Sequence, residues 1–152
     1  MQKHQTIMKP ISNKDNPNLL DYNDTRNNFR WSDVEQELDW LPGGGLNLAY
    51  EAIDRHVVKG NGSKLAMIWE GKNGETENYT YDAMRIETNK FANALQGLGV
   101  VKGDRVFTFM ERIPEIYFAV FGTLKLGAVI GPLFSAFGPD PVKDRLENSG
   151  AS

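Results

Sequence analysis

The chain of 152 residues contains no cysteine, which excludes disulfides, thiolate metal sites and a cysteine nucleophile. Only two histidines occur, His4 and His56. With no second histidine outside the polar start of the chain and no carboxylate at a ligating spacing, neither supports a metal or catalytic assignment. Basic excess is also missing. Seventeen Lys and Arg against twenty Asp and Glu give a net charge of -3, and no basic stripe or aromatic-basic interleaving argues for nucleic acid as a partner. The first thirty residues have no apolar core of a secretory signal, so the expected compartment is the cytoplasm. The N-x-S/T triplets beginning at Asn23, Asn61 and Asn78 are then chance matches.

Several motifs are absent as well. No G-x-G-x-x-G follows a strand candidate and no G-x-S-x-G elbow is present. The Gly71-Lys72 pair invites a phosphate-loop reading, but that pattern needs glycine at 66 and Ser or Thr at 73, where Ala66 and Asn73 stand. The residues taken alone therefore carry no catalytic inventory.

What is present is ordinary globular material, 40% apolar and 24% charged, enough for about one domain. Its organising stretch is 104–137, DRVFTFMERIPEIYFAVFGTLKLGAVIGPLFSAF. Two apolar runs of strand length, 105–110 and 128–134, flank a helical pattern. Pro114 suits its first turn, Glu115 its positive end, and Gly127 a left-handed stop. Ile113, Ile116, Tyr117, Val120, Phe121 and Leu124 recur at helical spacing, with Phe118, Ala119 and Leu126 widening the stripe, so the helix is expected to be buried. A membrane span competes for 116–137, a run of 22 residues with one charge, Lys125. Lys125 near the centre would cost roughly 2.5 to 3.5 kcal/mol, and Gly131-Pro132 would break the helix. A β-α-β unit explains these breaks, and no membrane association is expected.

Upstream, residues 1–17 are polar, carry two prolines and lack periodicity, so they read as a flexible leader with His4 exposed. Residues 18–45 form a helical, aromatic arm with two short helical patterns, the second capped by Ser32 with Glu35 at the capping-box position. Phe29, Trp31, Leu38 and Trp40 either pack the arm down or present an aromatic ligand face. Pro42 and Gly43-Gly44-Gly45 make a loop. Asn47 then caps a helix over 48–59, with Tyr50, Ile53 and Val57 inward and His56 in its last turns, where an imidazole suits the negative end of the dipole.

Residues 64–70 and 75–79 read as a hairpin around Gly71–Gly74, with Leu65, Met67 and Trp69 on one side. Thr80 caps the next helix, Asp82 suits its first turn, Met84, Phe91, Leu95 and Leu98 line its core face, and Gly97 and Gly99 end it. Beyond the second strand, Asp140 and Pro141 are placed at N-cap and N1 of a helix that turns Val142 and Leu146 inward and stops at Gly150. That helix should feed another strand, yet only Ala151 and Ser152 follow. The expectation is an incomplete α/β unit, built from a helical arm, a hairpin and β-α-β units with a mainly parallel sheet. Ligands of such folds bind at the carboxyl ends of strands, which singles out Arg112 and the turn Phe134, Ser135, Ala136, Phe137. Arg112 reads as a solvated loop cation or a ligand contact, and the two phenylalanines as loop packing or a ligand border.

The run YTYDAMRIETNKFANALQGLGVVKGDRVFTFMERIPEIYFAVFGTLKLGAVIGPLF over 79–134 resembles the early part of the large domain of AMP-forming acyl-CoA synthetases, the adenylate-forming superfamily. YEAIDRHV, NFRWSDVEQELDW and GPLFSAFGPDPVKDRLENSGA are similar to the acetyl-CoA synthetases of that superfamily, and the match spans about 18–152. The resemblance implies that 46–152 is the first part of the AMP-binding domain of a ligase joining acetate, or another short carboxylate, to CoA at the expense of ATP through acetyl-AMP. It implies ATP, Mg and CoA as cofactors of the whole enzyme and the remainder of the enzyme as partner. The phosphate loop, magnesium-binding acid, ribose-binding Asp and Arg and C-terminal-domain lysine of such enzymes have no match in 1–152. Hence the chain alone is expected to be inactive and to bind none of the three cofactors tightly. A truncated binding or interaction module is the alternative. One element carries over: the Phe-Gly-Gly-Phe turn that borders CoA reads Phe134, Ser135, Ala136, Phe137 here. With both glycines replaced, contacts needing close backbone approach are the ones in question.

Overall fold

The computed structural model describes residues 19–151; the leader expected over 1–17, with His4, lies outside the described residues. Two compact units are present, Met1–Leu38 and Asp39–Ser152.

In the first unit α1 (Tyr22–Asn28) is capped by Asp21, whose carboxylate accepts from Asp24 N at 2.9 Å. The second helix, α2 (Trp31–Gln36), corrects one expectation. It starts ahead of Ser32: Arg30 holds the extended cap position without a side-chain cap bond, and Ser32 lies in the first turn. The backbone is still extended at Arg30 and turns helical at Trp31, which packs edge-on to Phe29 at 5.1 Å. Trp31 remains 74% exposed.

The second unit includes Asp39 and Trp40 for a concrete reason. Their backbone N–H groups both donate to the Glu51 carboxylate, at 3.1 and 2.9 Å, and Asp39 pairs with Lys59 at 2.7 Å. Glu51 also takes Arg55 at 2.7 Å. Burial pushes this carboxyl upward, but the bonds from Asp39, Arg55 and Trp40 outweigh it and hold it below the usual glutamate value. Glu51 sits on the helix over 48–61, capped as expected by Asn47, whose Oδ1 accepts from Ala49 N at 2.9 Å and Tyr50 N at 3.1 Å. Two π-type turns, Tyr50–Asp54 and Val57–Asn61, widen that helix. Apolar spacing carries no signal for them.

The strands β1 (Leu65–Glu70) and β2 (Thr76–Thr80) form the expected antiparallel hairpin, in register from Met67↔Tyr79 to Glu70↔Thr76. Thr80 Oγ1 accepts from Ala83 N at 3.2 Å and so caps α3 (Tyr81–Gly97). Met84, Thr88 and Ala92 are its buried residues. Leu98, expected in the core, is 82% exposed, because it follows the last helical residue where the chain turns away through Gly99 at φ 91°. The parallel pair is β3 (Arg105–Phe109) and β4 (Val129–Leu133), in register from Arg105↔Val129 to Phe109↔Leu133 and joined by α4 (Glu115–Lys125). Hairpin and parallel pair are separate two-stranded sheets.

The burial of α4 corrects the expected stripe. Its buried residues are Phe118, Ala119, Gly122 and Thr123: Phe118 and Ala119, expected at the edge of the stripe, are its centre, while Ile116, Val120 and Phe121 are half-buried and Tyr117 is exposed. A helix apolar all round has two faces that satisfy periodicity, and close approach selects the one with small residues. A Cβ at Gly122 would lie 2.9 Å from both the Thr88 carbonyl oxygen and Phe91 Cβ. The core joins Ile53, Met84 and Phe118, with Met67, Tyr79 and Phe121 against it, and Tyr79 meets Phe118 edge-on at 5.3 Å. Lys125 is 12% exposed beside Asp54 at 20%. Its ammonium donates to Asp54 at 2.9 Å and to Asn89 at 2.6 Å, while Asn47 Nδ2 donates to the Leu124 carbonyl at 2.8 Å. Among the described residues no helix is long and apolar enough to cross a membrane.

The last helix, α5 (Pro139–Ser149), begins two positions earlier than the Asp140 cap and Pro141 start expected. Extended Gly138 is the N-cap and Pro139 takes the first turn, so Asp140 falls inside it. Gly150 ends it at φ 62°, and its carbonyl accepts from Arg105 at 2.5 Å.

Three outcomes are expected. Gly122→Ala gains about 1 kcal/mol in helix propensity but meets a backbone oxygen that cannot yield, and overpacking costs about 1–3 kcal/mol. A lowered denaturation midpoint is the expected result; an unchanged or raised one would refute the close approach. Lys125→Ala leaves Asp54 largely desolvated without its cation and costs about 2–3 kcal/mol. Lys90→Ala, which removes only the exposed pair with Glu87, costs about 0.5 kcal/mol or less; equal losses would contradict the assignment. Because the folded carboxyl of Glu51 is depressed, its contribution is complete above the unfolded value of 4.5 and is lost as pH falls through the lower folded value. Urea midpoints should therefore fall more steeply below pH 4.5 in the wild type than in Glu51→Gln.

Candidate functional site

The parallel register of β3 and β4 places two loops at their carboxyl ends, where α/β folds take ligands. After β3, Arg112 is exposed, and its carbonyl accepts from the Trp69 indole at 2.9 Å. The hairpin thereby anchors this loop. Trp69, Glu70, Arg112, Ile116 and Tyr117 line a cavity of about 340 Å³.

After β4, Phe137 N donates to the Phe134 carbonyl at 3.0 Å and closes the turn. The two rings meet edge-on, 5.6 Å apart at 84°. Phe134 is 59% exposed, whereas Phe137 is half-buried and lines an apolar groove of about 500 Å³ with Phe109, Pro139, Val142 and Leu146. Ser135 and Ala136 are exposed and adopt no left-handed backbone. The turn therefore closes here without needing glycine at either position.

Arg112 and Phe137 line different cavities. Sequence reasoning also missed Arg145, whose guanidinium carbon lies 4.2 Å above the Phe137 ring centroid. Its signal was available: a long side chain on a helix leans toward the N-terminus and covers what precedes it. His56 stacks on Tyr81 at 4.5 Å. Among the described residues no group of three or more His, Asp or Glu could hold a metal ion.

The model of the AMP-binding enzyme family matches residues 54–152, more than half of the chain. The chain belongs to the AMP-binding enzymes. Among curated relatives of this AMP-binding chain, the acetyl-coenzyme A synthetase of Bacillus subtilis is 47% identical over 88% of the chain and 23% of the relative. That of Deinococcus radiodurans is 44% identical over 76% of the chain and 18% of the relative. The 3-hydroxypropionyl-coenzyme A synthetase of Sulfurisphaera tokodaii is 42% identical over 74% of the chain and 17% of the relative. Among solved structures, Brucella canis acyl-CoA synthetase superposes with a TM-score of 0.78 at 28% identity, over 86% of this chain and 23% of that one. The chain thus spans at most about a quarter of the length of these relatives. Its hairpin and β-α-β unit are an α/β part of the larger adenylate-forming domain.

Proposed function

We propose that the chain supplies the first part of the large domain of an acetyl-CoA synthetase-like ligase, with 1–17 as leader, 18–45 as arm and 46–152 as the start of the AMP-binding domain. The observation that carries this reading is 47% identity to an acetyl-coenzyme A synthetase over 88% of the chain. The whole enzyme would join acetate and ATP to give acetyl-AMP and pyrophosphate, and CoA would then displace AMP. A 3-hydroxypropionyl relative at 42% identity keeps another short carboxylate within the substrate class. The compartment would be the cytoplasm.

The chain's own part in this is structural except at one turn. The β3-α4-β4 unit holds the carboxyl-end loops, and Phe134, Ser135, Ala136 and Phe137 border the CoA. Exposed Phe134 fits that role because an aromatic face stacks on a flat ring at low conformational cost. Nothing in 1–152 matches the phosphate loop, the magnesium-binding acid or the C-terminal-domain lysine of the family, so ATP and Mg would be held by other residues of the whole enzyme. The chain alone is inactive and binds none of the cofactors tightly. Exposed apolar side chains at Phe109, Tyr117 and Val129 favour the remainder of the enzyme as the partner covering them.

Purified chain should show no acetate-dependent ATP-pyrophosphate exchange above a heat-treated control, and exchange above it would overturn the inactivity. Co-expression with a polypeptide supplying the rest of an acetyl-CoA synthetase should restore CoA ligation; failure of the two pieces to associate would count against the shared-domain reading.

A further inference from the structure

We infer that Arg145 is a positioning residue of the turn 134–137: it holds the Phe137 ring, and through it the exposed face of Phe134, in the orientation that receives CoA. This rests on the reading of that turn as a CoA border.

The contacts run in one line from helix to ligand face. Arg145 stands in the middle of α5, and its Nη1 donates to the Pro141 carbonyl at 2.8 Å, one helical turn back. That bond aims the guanidinium toward the start of α5, where its carbon lies 4.2 Å above the Phe137 ring centroid. The separation is well inside the range of about 6 Å over which a ring quadrupole attracts a cation. Phe137 in turn meets Phe134 edge-on at 5.6 Å and closes the turn by its backbone bond at 3.0 Å. On the same helix Glu147 pairs with Lys143, at 3.7 Å.

The physical need for such a residue lies in Phe134. An aromatic side chain 59% exposed loses rotamer freedom when a ligand stacks on it, and that loss opposes binding unless the ring is already held. Phe137 supplies one edge of support, and Phe137 is itself only half-buried. A planar cation stacked on its face adds a second support to that ring. A flexible ammonium lacks the planar stacking surface and does this less well.

The test titrates the 152-residue chain, carrying ¹³C-labelled phenylalanine, with CoA at millimolar concentrations, followed by NMR. In the wild type the shifts should concentrate on Phe134 and Phe137, with a weak midpoint. Arg145→Ala should weaken binding by about two- to fivefold, the effect of an exposed cation–π contact, with amide signals outside 134–145 unchanged. Arg145→Lys separates positioning from simple attraction of the anionic CoA: positioning requires it to bind more weakly than the wild type although the charge is kept. Full retention of affinity by either variant overturns the role, as does loss of the whole folded spectrum, which would make Arg145 a residue of general stability. If the wild-type phenylalanine signals do not move, the CoA-border reading fails and this inference with it. Equal movement in all three proteins sinks the inference alone.

Discussion

The Lys125 ammonium is the constraint on which the larger unit depends. It ends an almost wholly apolar helix and is only 12% exposed, so its charge must be satisfied by protein groups or the site is unstable. Asp54 and Asn89 do this from two other helices, and Asn47 adds a bond to the carbonyl of Leu124 beside it. Three helices are thereby brought to one point, at the end of α4 where a cation also suits the dipole. Apolar packing alone would let these helices slide or rotate at modest cost. A nearly buried charge with specific partners permits one register.

From that register the rest of the site geometry follows. With α4 fixed, its small residues close against α3, and Gly122 sets the distance because no Cβ fits beneath Thr88 and Phe91. The strands on either side of α4 are then held parallel with their carboxyl ends together. The hairpin contributes through Trp69, whose indole holds the loop after β3. Helix α5 contributes through Arg145 over Phe137.

Local chemistry made much of this legible in advance. Asn47 and Thr80 were identifiable as helix caps, Gly127 and Gly150 as stops, and the hairpin and β-α-β alternation as elements, because each depends on neighbours within a few residues. Errors arose where two local solutions were nearly equal. Ser32 could cap a helix, but the extended backbone ends at Arg30 and the helix starts at Trp31. Pro139 and Pro141 can each begin α5, and extended Gly138 decides between them. Leu98 fitted the helical period of α3, yet the helix had already ended.

The sequence by itself determined the types and order of the elements, the family resemblance and the candidate turn 134–137, since these are written in spacing and residue type. Tertiary structure decided which face of α4 is buried, what pairs with Lys125, and that Arg145 covers Phe137. The physical reason is separation: Lys125 and Asp54 lie 71 positions apart, and no local preference can specify a contact whose partners meet only when separate helices pack. An apolar stripe reports that a helix will be buried, while the shape of its neighbour chooses the face.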